Sequence, residues 1–202
     1  MNFLGHLYFS QDYQELMHAN LFGDFVKGKQ FERYSPVVQK GVLLHRSIDT
    51  FIDTNEQVVN LMRKLYQDLP KVSSVAIDLY FDHLLARNWD EFHQVKLTDY
   101  LAGFYAAKPL NWEEYPENFQ LFIGKLKAHQ WMNHYPNFEG LTKACQGVAS
   151  RISFENKLIE APSIFLNMEQ EITAVFYEYM AAAQSEFLNH SADNSLVRFL
   201  NK

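Results

Sequence analysis
Cysteine is almost absent: Cys145 is the only one in 202 residues. A single thiol excludes an internal disulfide framework and suits a reducing compartment, so a cytoplasmic location is expected. Long apolar runs are missing too, and nothing approaches the ~20 residues needed to span a bilayer. No membrane partner is therefore expected. The first residues, Met1-Asn2-Phe3-Leu4-Gly5-His6, lack the basic flank and small-residue cleavage site of a secretory signal. Positive charge is in deficit, with 18 Lys and Arg against 24 Asp and Glu. That balance argues against sequence-independent nucleic-acid binding, which needs a basic surface. Two modest basic clusters remain, Lys27, Lys29, Arg33 and Lys40, and Lys125, Lys127 and Lys143. Solvated helix faces account for both.

Several catalytic signatures are also missing. There is no glycine-rich phosphate loop, no Gly-x-Ser-x-Gly elbow and no His-Glu-x-x-His pair. Strand-like alternation with β-branched enrichment is nearly absent, as are Gly/Ser linkers and repeats. The chain therefore reads as all-α, one domain over residues 1–188, with a polar tail over 189–202.

Prolines punctuate the helical segments. Ser35-Pro36 predicts an N-cap and a first helical position, opening a long helix through Ile48 and Ile52. Val58 to Leu69 continues in helical period. Ser73 or Ser74 is expected to cap a helix running towards Trp89, and Thr98 one over Leu101 to Ala107. Phe119 to Tyr135, Glu139 to Arg151 and Met168 to Phe187 complete the expected set. Asn20 to Gly28 reads as a helix with a polar stripe.

Within this framework two segments place ionisable groups among residues that favour burial. His45-Arg46-Ser47-Ile48-Asp49 aligns His45 with Asp49 on one helix face, four residues apart. Asp78-Leu79-Tyr80-Phe81-Asp82-His83 does the same for Asp78 and Asp82, with His83 one step round. Any single Asp can be the wet face of an amphipathic helix. Three carboxylates converging in a core would instead cost several kcal/mol per uncompensated ion, which a divalent cation removes. Imidazole with carboxylate suits Mn, Fe or Zn better than Ca. His6 lies in an apolar start that should be tied into the core, and a core histidine held by a hydrogen bond accounts for it equally. Asn20 and Asp24 share a helical spacing. Cys145, among helix formers, reads as a small core residue. His93, His129, His134 and His190 have no carboxylate at helical spacing and read as structural or surface residues.

Taken in order, four motifs resemble the acyl carrier protein phosphodiesterase family, holo-acyl carrier protein hydrolases with an HD-like helical fold. They are Asn2-Phe3-Leu4-Gly5-His6-Leu7; Asn20 through Asp24-Phe25-Val26-Lys27-Gly28; Gly41 through His45-Arg46-Ile48-Asp49; and Asp78 through Asp82-His83-Leu84-Leu85 to Trp89. A weaker likeness runs from Trp131 to Gly147-Val148-Ala149-Ser150-Arg151, so that it spans about residues 1 to 182. Gly5 stands where alanine is expected.

The resemblance implies a single-domain HD-like helical bundle and hydrolysis of the phosphodiester joining 4′-phosphopantetheine to a serine of holo-acyl carrier protein. Mn²⁺ is the implied cofactor, with Mg²⁺, Fe²⁺ or Zn²⁺ as alternatives. Carried over by position, His6, Asp24 and His83 are the expected catalytic groups. His45, Asp49, Asp78, Asp82 and His83 are the expected metal ligands. Arg46, Arg151 and Lys27 have the chemistry to bind substrate oxygens, and a salt bridge to a core carboxylate accounts for Arg46 equally. An acidic carrier would dock on a local basic surface, around Lys27 to Arg33. Two other readings use the same residues: an HD-like phosphohydrolase of a small nucleotide or phosphate ester, and a non-catalytic helical protein with internal polar bonds.

Overall fold
The computed structural model describes residues 1–188; the polar tail expected over 189–202, with His190, lies outside the described residues. Ten α-helices and no strand occur among them, so the all-α fold stands. In chain order they are α1 (Phe3–Tyr8), α2 (Gln14–Leu21), α3 (Pro36–Thr54), α4 (Glu56–Leu65), α5 (Ser73–Arg87), α6 (Trp89–Phe92), α7 (Leu97–Ala106), α8 (Glu117–His129), α9 (Phe138–Ala149) and α10 (Ala161–Phe187).

Helix α3 begins where Ser35-Pro36 places it, with proline in its first turn. Ser35 stands at the cap position without capping; its hydroxyl accepts from Asn111 instead. The next helix starts earlier than Val58, because Asn55 Oδ1 accepts from the Gln57 and Val58 amides and restarts the chain. It also stops short of Leu69, at Leu65. Neither Ser73 nor Thr98 is a cap: Val72 and Lys96 hold those positions, and both hydroxyl residues lie inside their helices. The helix expected over Phe119 to Tyr135 breaks at Gln130, whose φ of 48° is left-handed, and resumes as a 3₁₀ turn over Trp131–His134. Helix α10 extends seven residues N-terminal of Met168, since Pro162 sits in its first turn, where a missing N–H costs nothing.

The stretch Asn20 to Gly28 is not one helix. Helix α2 ends at Leu21, a 3₁₀ turn covers Phe22–Phe25, and Gly28 takes a φ of +54°. This break matters for the site, because it turns Asp24 towards α3. Helices α2 and α3 pack very closely, and Gly41 permits it: a Cβ there would fall 2.2 Å from the Ala19 Cβ. The core runs through Phe22, Val42, Ile48, Phe81, Phe119 and Phe176, all essentially fully buried. Cys145 joins that core, and burial pushes its thiol up to about 12.

Candidate active site
Four polar side chains from three elements meet at one end of the α2–α3 pair. Helix α1 supplies His6, the turn after α2 supplies Asp24, and α3 supplies His45 and Asp49. Asp49 Oδ1 lies 3.3 Å from His6 Nε2, and its Oδ2 lies 3.1 Å from His45 Nε2. Asp24 Oδ1 lies 3.3 Å from that same His45 nitrogen. The two imidazoles stack with centroids 4.1 Å apart and planes 15° from parallel. Both histidines are buried, while Asp24 and Asp49 are open to solvent on one side.

His6 is locked in one orientation by Asn20. The Asn20 amide donates to the His6 carbonyl at 2.9 Å and to Ser10 Oγ at 3.0 Å, which fixes its nitrogen end. Its Oδ1 therefore faces His6 Nδ1, at 2.9 Å, and accepts a hydrogen bond from the Nδ1–H. A neutral His6 then presents the Nε2 lone pair to a carboxylate oxygen. Two lone pairs facing each other at 3.3 Å repel unless a proton or a cation lies between them. Burial pushes the His6 pKa down, against the opposing bond to Asp49, which disfavours the proton. The arrangement is compatible with a metal-binding histidine whose outer partner fixes its tautomer.

His45 has no such outer partner, since its buried Nδ1 has no hydrogen bond among the described residues. Burial alone would lower its pKa, but bonds to Asp24 and Asp49 outweigh that and raise it to about 9. Burial pushes the Asp49 carboxyl up, but its hydrogen bonds, the largest from His45, outweigh that and hold it well below the usual range. Gly23 is what lets His45 sit here. A Cβ on Gly23 would fall 2.2 Å from the His45 Cγ.

His6, His45 and Asp49 each offer a ligand atom, all within 4.8 Å of one another. Two nitrogens and a carboxylate oxygen form a donor set compatible with a divalent ion, with Asp24 adjacent. The cluster opens into a cleft of about 390 Å³ lined by Phe3, His6, Asp24, Asp49, Asp53 and Asp78, with apolar residues between them.

The second sequence segment is placed differently. Asp82 is fully buried and accepts from the Leu4 and Gly5 amides, at 2.8 and 3.0 Å. It acts as an N-cap for α1 delivered from α5. Asp78 lines the cleft and holds the Met1 ammonium at 3.0 Å. His83 points elsewhere: its Nδ1 is 2.7 Å from the Tyr135 carbonyl and its ring meets Phe165 edge-on. None of the three joins the ligand-bearing group of His6, His45 and Asp49. An i,i+4 spacing names a shared face but not what that face meets.

Of the cationic candidates, Arg46 donates to the Val26 and Gly28 carbonyls at 3.2 and 2.7 Å and lies over Phe31. It braces the loop after Asp24. Lys27 is exposed on that loop, and Arg151 lies over the Trp131 ring beside the cleft. Gly23 is the residue whose site role sequence spacing did not reveal, its only signal being membership of the Asn20-to-Gly28 motif. Asn20 was marked by its spacing to Asp24, but its bond to His6 was not, because the two lie on different helices.

Fold and site together define an all-helical protein with a histidine–carboxylate cleft able to take a divalent cation. The chain belongs to the acyl carrier protein phosphodiesterase family, whose model matches residues 1–183. It is 29% identical to an acyl carrier protein phosphodiesterase of Yersinia pestis over 84% of this chain and 87% of that relative. It is 27% identical to those of Yersinia enterocolitica (92% and 97% covered) and Photorhabdus laumondii (89% and 91% covered). No solved structure matches the chain.

Proposed function
We propose that the protein removes the 4′-phosphopantetheine arm from holo-acyl carrier protein by metal-assisted hydrolysis in the His6–Asp24–His45–Asp49 cleft, as an HD-like phosphohydrolase of the cytoplasm. As a member of its family the chain is a hydrolase of a phosphodiester bond, and the family name points to acyl carrier protein as its substrate. The observation that carries the site assignment is the convergence of three ligand atoms within 4.8 Å, with Asn20 fixing the His6 tautomer.

His6, His45 and Asp49 would hold the cation, Mn²⁺ being the first expectation and Mg²⁺, Fe²⁺ or Zn²⁺ the alternatives. A divalent ion there supplies Lewis acidity towards a phosphoryl oxygen and makes water a competent nucleophile near neutral pH. Asp24, exposed at the mouth and aimed at the cluster, orients the attacking water and accepts its proton. Water adds to phosphorus opposite the serine oxygen, and the bond from phosphorus to that oxygen breaks. The oxygen takes a proton from solvent at the open side of the cleft, giving apo-carrier protein and 4′-phosphopantetheine, while Asp24 returns its proton to solvent. Asp82 and Asp78 act as positioning residues: Asp82 fixes the first turn of α1, and with it His6, while Asp78 completes the cleft wall.

The test is incubation of the purified protein and Mn²⁺ with holo-acyl carrier protein, followed by mass spectrometry of the carrier. Loss of the phosphopantetheinyl mass is expected, and His45→Ala or Asp49→Ala should lower turnover at least ~100-fold. A carrier that keeps its arm while a nucleotide is hydrolysed would overturn the substrate assignment. Full turnover by His45→Ala would remove the cluster from the chemistry.

A further inference from the structure
A second hollow, of about 270 Å³, adjoins the cleft and shares Asn2, Phe3 and Val148 with it. Its floor is one face of α9, with Gly140, Ala144, Gly147 and Val148, and its far wall is Trp131. Cationic groups stand at its rim: Lys143, and Arg151 lying over the Trp131 ring at 5.8 Å.

Gly147 is the informative residue. It lies in the last turn of α9, and although Gly103 and Gly124 are likewise helical glycines that packing does not require, Gly147 alone of the three lines the hollow. Its φ is not in the left-handed region, and a Cβ there would meet nothing closer than Arg151 Nη2 at 4.0 Å. Neither packing nor backbone conformation requires glycine. What glycine does here is keep the floor of the hollow bare. Gly140, by contrast, has a packing reason, since a Cβ there would fall 1.8 Å from the His134 carbonyl oxygen.

We propose that this hollow is the binding site for the pantetheine arm of the substrate, with Gly147 as the residue that makes room for it. The inference rests on the functional reading above and adds where the organic part of the substrate lies. A phosphodiester bridging a protein serine and a slender chain needs two exits from the reacting phosphorus. The solvent-open side past Asp49 and Asp78, away from Asp24, admits the serine of a folded carrier. The adjoining hollow is walled by carbon and lies directly against the cleft across Phe3 and Val148. Pantetheine has the matching order of groups: a geminal dimethyl carbon close to the ester oxygen, then a hydroxyl and two amides. The dimethyl unit would rest on Phe3, Val148 and the bare backbone at Gly147, and the amide carbonyls would reach Arg151. A volume at the low end for small-molecule sites suits an extended chain better than a base with its sugar.

The experiment compares wild type with Gly147→Leu on two substrates, holo-acyl carrier protein and bis(4-nitrophenyl) phosphate, which has no pantetheine. The variant's kcat/KM should fall at least about tenfold more on the carrier than on the small diester. Pantetheine at millimolar concentration should inhibit wild type and lose that effect in the variant. An unchanged ratio, with pantetheine inhibiting both proteins alike, would overturn the proposal. If Gly147→Leu fails to fold, amide chemical shifts of wild type during a pantetheine titration decide. Shifts at Ala144, Gly147 and Val148 are expected, and their absence would overturn it. Failure of wild type to act on holo-carrier protein would sink the functional reading instead, and the titration, which needs no turnover, separates the two.

Discussion
His45 carries the pH behaviour of the site. Burial lowers its proton affinity, but the carboxylates of Asp24 and Asp49 more than compensate and bring the pKa to about 9, against an ordinary 6.5. A folded-state pKa above the unfolded value means that protonation stabilises the fold below pH 6.5, and that this contribution is lost as pH rises through about 9. The metal-free protein is therefore expected to melt at progressively lower temperature between these limits, and His45→Asn should flatten that dependence. Thermal melts in the presence of chelator check this. Over the same window a cation competes with a proton for Nε2, so Mn²⁺ should bind more tightly as pH rises. A pH-independent melting temperature would show that His45 is not held by its carboxylates. His45 and Asp49 were legible in the sequence as a pair because both lie on one helix. The proton logic was not legible, because it depends on Asp24 arriving from a separate 3₁₀ turn.

At the scale of single elements, α1 shows how a helix too short to stand alone is held. Six residues are well under the length at which an isolated helix is stable. Its first-turn amides have no intrahelical acceptor, and Asn2 makes no side-chain cap. Asp82 fills that role from 77 and 78 residues away. Burial pushes its carboxyl up to about 7, against the Met1 ammonium and the two amide donors. Removing it strands two buried N–H groups at ~1–3 kcal/mol each. Asp82→Ala is therefore expected to lose ~2–6 kcal/mol of stability by denaturant unfolding, with Asp82→Asn intermediate because one acceptor oxygen survives. Equal stability of all three proteins would show that α1 is held by apolar packing alone. The sequence motif around Asp82 was visible, but its bonds to the α1 amides were not, because they depend on how α5 packs against α1.

The whole molecule carries a net charge of −6, which opposes approach of an acidic carrier protein. Lys27, Lys29 and Arg33 stand exposed on the segment between α2 and α3, directly after the turn that bears Asp24. Under the proposed function they would guide an acidic partner to the mouth of the cleft. Reversing all three to glutamate is expected to raise KM for holo-carrier protein about tenfold, an effect that shrinks as salt is added, with little change in kcat. Steady-state kinetics at two ionic strengths check it. An unchanged KM at low salt would move the docking surface elsewhere.

By itself the sequence determined that the chain is helical, since apolar spacing and proline punctuation are local properties that survive without a partner. It also determined which side chains have the chemistry for a cation and a phosphodiester. Tertiary structure alone decided which of them meet. His6, Asp24, His45 and Asp49 converge because Gly41 lets α2 lie against α3 and Gly23 leaves room for the His45 ring. Asp82 was drawn off to cap α1, and His83 faces Tyr135 and Phe165. The physical reason is that periodicity fixes a residue's direction around its own helix axis. Which neighbour lies in that direction depends on how closely helices approach and where the chain breaks between them.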